Sequence, residues 1–184
     1  MRLDNDRYEE IKKEVIFLFE QYDIRCIPIS GFEIASKMGI ILTPYSSLSK
    51  RQKRKAIKTS KDGFYCEPGD GKEYIYYYDK GGYERTNMTI LHEVAHAVLG
   101  HHDDMDHDEM EAEASFFAKY AASPPPLVHK IKPSSVEDVQ DAFSISYEAA
   151  FYSFEYYKKW LNIHAKTGRY CRYERHLLRL FKSA

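Results

Sequence analysis

The sequence predicts an α+β fold: a minimal core with a small three-stranded sheet beside one long apolar helix, then a helical C-terminal segment. Three observations predict it. The run from Thr89 to Gly100 carries His92-Glu93-x-x-His96 among residues that are apolar nearly all round, as in a buried helix. Three short stretches before it, at 39–44, 62–67 and 73–79, are rich in β-branched or aromatic residues and bounded by Gly or Pro, as strands are. After it, helical periodicity dominates. Helices and strands in this order give segregated α and β layers. The chain of 184 residues suffices for one good core. Residues 1–127, with the N-terminal helices, are expected to form one domain. Residues 128–184 are expected to be a helical extension packed on it.

The elements follow in order. Residues 4–22 place Tyr8, Ile11, Val15, Leu18, Phe19 and Tyr22 at helical spacing, with Asp4 or Asp6 as the cap. A short helix is expected over 31–37, turning Ile34, Ala35 and Met38 inward. The stretch 39–44 reads as the first strand. Residues 49–61 form the one strongly basic run. A solvated surface helix or loop is preferred to a nucleic-acid patch, because no aromatic residues interleave the charges, and an acidic stretch of a protein substrate is a third candidate partner. Pro68-Gly69-Asp70-Gly71-Lys72 is a turn signal, so 62–67 and 73–79 are expected to pair as a hairpin. Lys80-Gly81-Gly82 then leads into the helix that carries the histidines.

Beyond that helix, His101, His102, Asp103, Asp104, Asp106, His107 and Asp108 make a polar loop. Composition alone would allow a second metal there. An exposed connector is preferred, since His101 and His102 are adjacent and share no face. Residues 108–122 read as a helix capped by Asp106 or Asp108, and Ser123-Pro124-Pro125-Pro126 ends it. Residues 136–143 and 147–161 read as two helices around Ser144-Ile145-Ser146. An αα-hairpin is preferred to a DNA-reading helix-turn-helix, because 146–152 lacks the Arg, Lys, Asn or Gln cluster that contacts base edges. The tail 169–182 is basic and amphipathic.

Composition bounds the function. Net charge is −1, which gives no global attraction to nucleic acid. Cys26, Cys66 and Cys171 are odd in number and scattered, which argues against a disulfide framework or a thiolate metal site and for a reducing compartment. No signal-peptide core and no membrane-spanning apolar run is present, so a cytoplasmic, soluble protein is expected.

The chemistry concentrates at the histidine helix. Residues i and i+4 are neighbours on one helix face, so His92 and His96 can point at one zinc ion. Glu93 is rotated about 100° from His92, beside the metal rather than on it. Read as mere core residues, the trio would leave Glu93 buried without a partner, which is costly. Catalytic zinc takes a third protein ligand. In the next helix Glu109 and Glu113 share a face while Glu111 points elsewhere, and spacing does not choose between the first two.

Taken together, Thr89-Ile90-Leu91-His92-Glu93-Val94-Ala95-His96, then Glu111-Ala112-Glu113-Ala114-Ser115-Phe116-Phe117-Ala118, then Pro124, resemble the ImmA/IrrE family of zinc metallopeptidases. Residues 25–127 carry the resemblance, and the helix pair after them only weakly. It implies a zincin-like core and makes Glu113 the third ligand, with one Zn²⁺ on His92, His96 and Glu113 and Glu93 as general base. It also implies regulatory proteolysis: cleavage of a helix-turn-helix repressor, which relieves repression in a mobile-element or stress-response system. A tyrosine, a histidine or Arg85 would stabilise the oxyanion. The rival expectation is a zinc-stabilised antirepressor or DNA-binding module that cleaves nothing, motivated by the helix pair at 136–161 and the basic run. An intact Glu93 argues against it. A third is another metal hydrolase, such as an amidase.

Overall fold

The computed structural model describes residues 3–102 and 104–182. Their order is α1 Asn5–Gln21, α2 Gly31–Met38, β1 Ile41–Pro44, α3 Lys50–Thr59, β2 Gly63–Cys66, β3 Tyr74–Tyr77 and α4 Tyr83–Leu99. Then come α5 His107–Ala122, α6 Pro125–Ile131, α7 Val136–Phe143, α8 Tyr147–Thr167 and α9 Arg172–Leu180. The fold is α+β, mostly helical, with one small mixed sheet and a helical C-terminal region.

The chain folds as two compact units. One is built on Ser30–Ala118, the other on Asn5–Ile29 and the chain from Lys119 onward. The N-terminal helix α1, expected with the first domain, therefore belongs to the second unit.

In the first unit the strands lie in the order β1-β3-β2. β1 runs parallel to β3, and β2 pairs antiparallel with it, Tyr65 opposite Ile75. The expected hairpin is present. A parallel β1–β3 pair needs a long crossover, and α3 with β2 supplies it. α3 is the basic run: Ser49 caps it in a reciprocal box with Gln52, and only Ala56 is buried. It is thus an exposed helix.

α4 packs against β2, β3 and α2. Two glycines allow the close approach. A Cβ on Gly63 would come 2.7 Å from Thr89 Cγ2 and 2.9 Å from Tyr76 O, so β2 can lie this near α4 only without a side chain there. A Cβ on Gly31 would meet Leu91 and the Asn87 carbonyl at 3.1 Å, and the Gly31 N–H donates to the buried Asn87 Oδ1 at 2.7 Å. Between these contacts Ile34, Ile75, Ile90, Leu91, Val94 and Phe117 are fully buried. Each such side chain contributes about 1.5–3 kcal/mol.

The second unit is all helical. Leu18, Phe19, Leu127, Val128, Val139, Phe143 and Leu177 form its core, and Phe19 meets Phe181 edge-on with ring centres 5.9 Å apart. The prolines end α5 as expected, but Pro125 also opens α6 at a first-turn position where the missing N–H has no helical partner to lose. α7 and α8 pack as an αα-hairpin across Ser144, whose φ of 50° turns the chain. Among the described residues no helix is long and apolar enough to cross a membrane.

Candidate metal centre

α4 brings His92 and His96 onto one face, as i and i+4 must be. Their Nε2 atoms are 3.3 Å apart. From α5, Glu111 sets Oε2 at 3.2 Å from His92 Nε2 and Oε1 at 3.5 Å from His96 Nε2. The ligating atoms of the three residues all lie within 4.8 Å of one another, so the group could hold a metal ion. Each side chain keeps some solvent exposure, most of all Glu111 at 45%. The site therefore opens outward.

Glu113 is elsewhere. Its carboxylate is buried, and Oε2 lies 2.9 Å from His101 Nε2. The family resemblance pointed to Glu113 as the third ligand, yet the group assembled here holds Glu111 in its place. The physical reason is helix rotation. Positions 111 and 113 differ by about 200° around α5, so their carboxylates approach His96 from different sides. Glu111 comes to Nε2, while Glu113 reaches the other edge of the ring through His101. Glu109 is exposed and is not part of that group; its backbone N–H donates to Asp106 Oδ1 at 2.9 Å. Asp106, not Asp108, is thus the cap.

His101 is the residue that sequence reasoning missed. It was expected in an exposed connector, but its side chain is 2% exposed, with Nδ1 2.9 Å from His96 Nδ1. A signal was present. Gly100 ends α4 in the left-handed conformation, φ 65°, with its N–H on Ala97 O and the His101 N–H on His96 O. This Schellman turn folds the residue after the glycine back over the one five earlier. A polar residue just past Gly100 should therefore have been read as a partner of His96. Asp103, which belonged to the same loop expectation, lies outside the described residues.

The chain matches no family model, and no curated protein matches it in sequence.

Electrostatics separates the roles. Glu93 is buried, and its Oε2 accepts the Tyr65 N–H of β2 at 2.9 Å. Burial pushes its carboxyl up to about 7; the Tyr65 N–H opposes this, and the charge of Glu111 adds to it. A carboxylate poised there exchanges protons near neutrality, as a general base must. A cation beside it would lower that value. Burial, together with the His92 and His101 rings, pushes His96 down to about 4. At neutral pH His96 is therefore an uncharged imidazole, the form that ligates metals. Arg85, considered for the oxyanion, is exposed and pairs with Asp62 at 2.6 Å.

Proposed function

We propose that this protein is a zinc-dependent endopeptidase of the ImmA/IrrE kind. One observation carries the reading: His92, His96 and Glu111 converge as a metal-ligand set, with the buried Glu93 one residue along the same helix. One ligand atom from each residue lies within 4.8 Å of the other two, close enough for all three to meet a single ion. Two imidazoles and a carboxylate suit zinc, and three protein ligands leave a fourth position for catalysis. This ligand set places Glu111 where the resemblance alone placed Glu113.

A zinc ion held there would supply a Lewis acid that acidifies water and polarises a carbonyl. Glu93 takes the proton of the attacking water and returns it to the leaving amine. The Tyr65 N–H holds one carboxylate oxygen of Glu93 and leaves the other for that transfer. The substrate is a peptide bond of an intracellular protein. On the resemblance, that protein is a helix-turn-helix repressor whose loss relieves repression. The exposed basic face of α3 supports a second reading, a zinc-stabilised module that binds DNA or displaces a repressor without cleavage.

The test is a survey of new protein N-termini in cells expressing wild type or Glu93→Gln, with the zinc content of both purified proteins. New termini with wild type alone, and one zinc in each protein, are expected. Identical termini with zinc still bound would sink the peptidase and favour the second reading, which a salt-dependent DNA shift would then check.

A further inference from the structure

We infer that Glu113 and His101 form a hydrogen-bond relay that fixes the ring protons of His96 and so aims its Nε2 lone pair into the metal group. Both are positioning residues, not ligands. The inference rests on the metal reading of His92, His96 and Glu111.

Three links make the relay. Glu113 Oε2 lies 2.9 Å from His101 Nε2. His101 Nδ1 lies 2.9 Å from His96 Nδ1. His96 Nε2 then faces His92 Nε2 and Glu111. The His96 and His101 rings meet edge to face, at 72° with centres 4.9 Å apart, so one nitrogen can donate towards the other.

Proton counting gives the relay a direction. His96 Nε2 faces the metal group, so ligation there puts the His96 ring proton on Nδ1, which meets His101 Nδ1, while His101 Nε2 meets the carboxylate oxygen of Glu113. A His101 that carries its hydrogen on Nε2, towards Glu113, presents a bare Nδ1, which accepts. The hydrogen at that contact comes from His96 Nδ1. A neutral His96 protonated at Nδ1 keeps its lone pair on Nε2, the nitrogen that faces His92 and Glu111. The reverse arrangement would put the His96 proton on Nε2, where it blocks ligation. The buried Glu113 carboxyl is thus linked through His101 to the His96 tautomer two rings away. Such outer partners fix ring orientation and raise ligand basicity.

The fold holds the relay in place. The Schellman turn at Gly100 seats His101 over His96. The His101 and Glu113 side chains are 2% and 3% exposed, so water does not compete for these bonds. A hydrophobic contact often accompanies this turn; here a hydrogen bond between imidazoles stands at that place. The i, i+2 spacing of Glu111 and Glu113 thus serves both edges of one histidine from one helix.

The experiment uses the full-length protein, labelled with ¹⁵N-histidine and freed of metal, at about pH 8, above the imidazole range. Long-range ¹H–¹⁵N spectra should show His96 protonated at Nδ1 and His101 at Nε2. Glu113→Leu should lose this pattern, and Glu113→Gln, which still offers an acceptor oxygen, should restore it. Circular dichroism checks that both variants are folded. Competition with a chromophoric chelator should give one zinc per chain throughout. Affinity should be about 10–100-fold weaker in Glu113→Leu and near wild type in Glu113→Gln. His96 protonated at Nε2 in wild type, or wild-type zinc affinity in a folded Glu113→Leu, would overturn the relay. So would loss of zinc from Glu113→Gln as complete as from Glu111→Gln, which would make Glu113 a ligand. Two zinc ions per chain would overturn it too, by making His101 and Glu113 a site of their own. Expected tautomers in a wild type that binds no zinc would instead overturn the metal reading, and the positioning role with it.

Discussion

A buried glutamate pairs with a histidine in each unit, and the two pairs have the same bond. His101 Nε2 meets Glu113 Oε2 at 2.9 Å, and His164 Nε2 meets Glu174 Oε2 at 2.9 Å. The difference is where the second ring nitrogen leads. His164 Nδ1 ends on the Trp160 carbonyl, 3.0 Å away on its own helix. Glu174 is further held by Trp160 Nε1–H and, at 2.9 Å, by the Cys171 N–H. That network is closed, and it ties α8 to the start of α9. His101 Nδ1 instead ends on another imidazole, which opens onto Glu111 and solvent. The pair by itself therefore says little about function; the terminus of its hydrogen-bond chain does.

The glutamates Glu93 and Glu174 extend the contrast. Both are buried. Burial raises each, but Glu174 has donors from Trp160 and Cys171 and the charge of His164, and these outweigh desolvation and hold it below its usual range. Glu93 has the single N–H of Tyr65, and desolvation wins. A carboxylate with several donors stays ionised and structural. One with few donors stays able to move protons.

Four changes would break or sharpen this contrast. The largest effect is expected at Glu93→Gln, which should cut peptide hydrolysis by about 10²–10⁴-fold while the zinc content stays at wild type. Glu174→Gln should leave hydrolysis intact, and equal losses from both would erase the distinction. Next, Glu174→Leu strands the Trp160, Cys171 and His164 donors and should cost about 3–5 kcal/mol in denaturant unfolding, with no change in zinc affinity.

The third is a pH dependence. Folding holds the Glu174 pKa below its unfolded value, so the unfolded chain takes up the proton first as pH falls. Its contribution is complete above the ordinary carboxylate pKa of about 4.3, and is lost as pH drops through the folded value. The stability gap between wild type and Glu174→Gln should therefore shrink on acidification; a gap that widens would refute the assignment. The smallest effect is expected at Gly63→Ala. The added methyl presses on Thr89 and Tyr76 and should cost about 1–3 kcal/mol in unfolding. It should also shift the Tyr65 amide resonance by loosening the bond to Glu93.

Much of the fold was legible because its signals are local. Apolar spacing marked α1, and Pro68 to Lys72 marked the hairpin turn. Ser135 as the cap of α7 was one of two candidates, and its reciprocal bond with Asp138 singles it out. α6 was hidden because three prolines read as a stop, although proline also opens helices. The grouping of α1 with the C-terminal helices joins segments more than a hundred residues apart, as in the bond from Tyr173 Oη–H to Glu9 at 2.6 Å. No local pattern reports such a contact.

The sequence by itself determined that His92 and His96 share a face and that Glu93 stands beside them, because one helix fixes those angles. The tertiary structure decided which glutamate joins them. That depends on how α5 is rotated against α4: spacing along one helix left Glu109 and Glu113 open and set Glu111 apart, and only the packed helices bring Glu111 to the histidines. It also decided that His101 is buried and that Glu93 meets Tyr65, since both depend on backbone brought in from outside the motif. Spacing along one helix is a covalent property; the angle between two helices is a packing property, set by side chains far from the site.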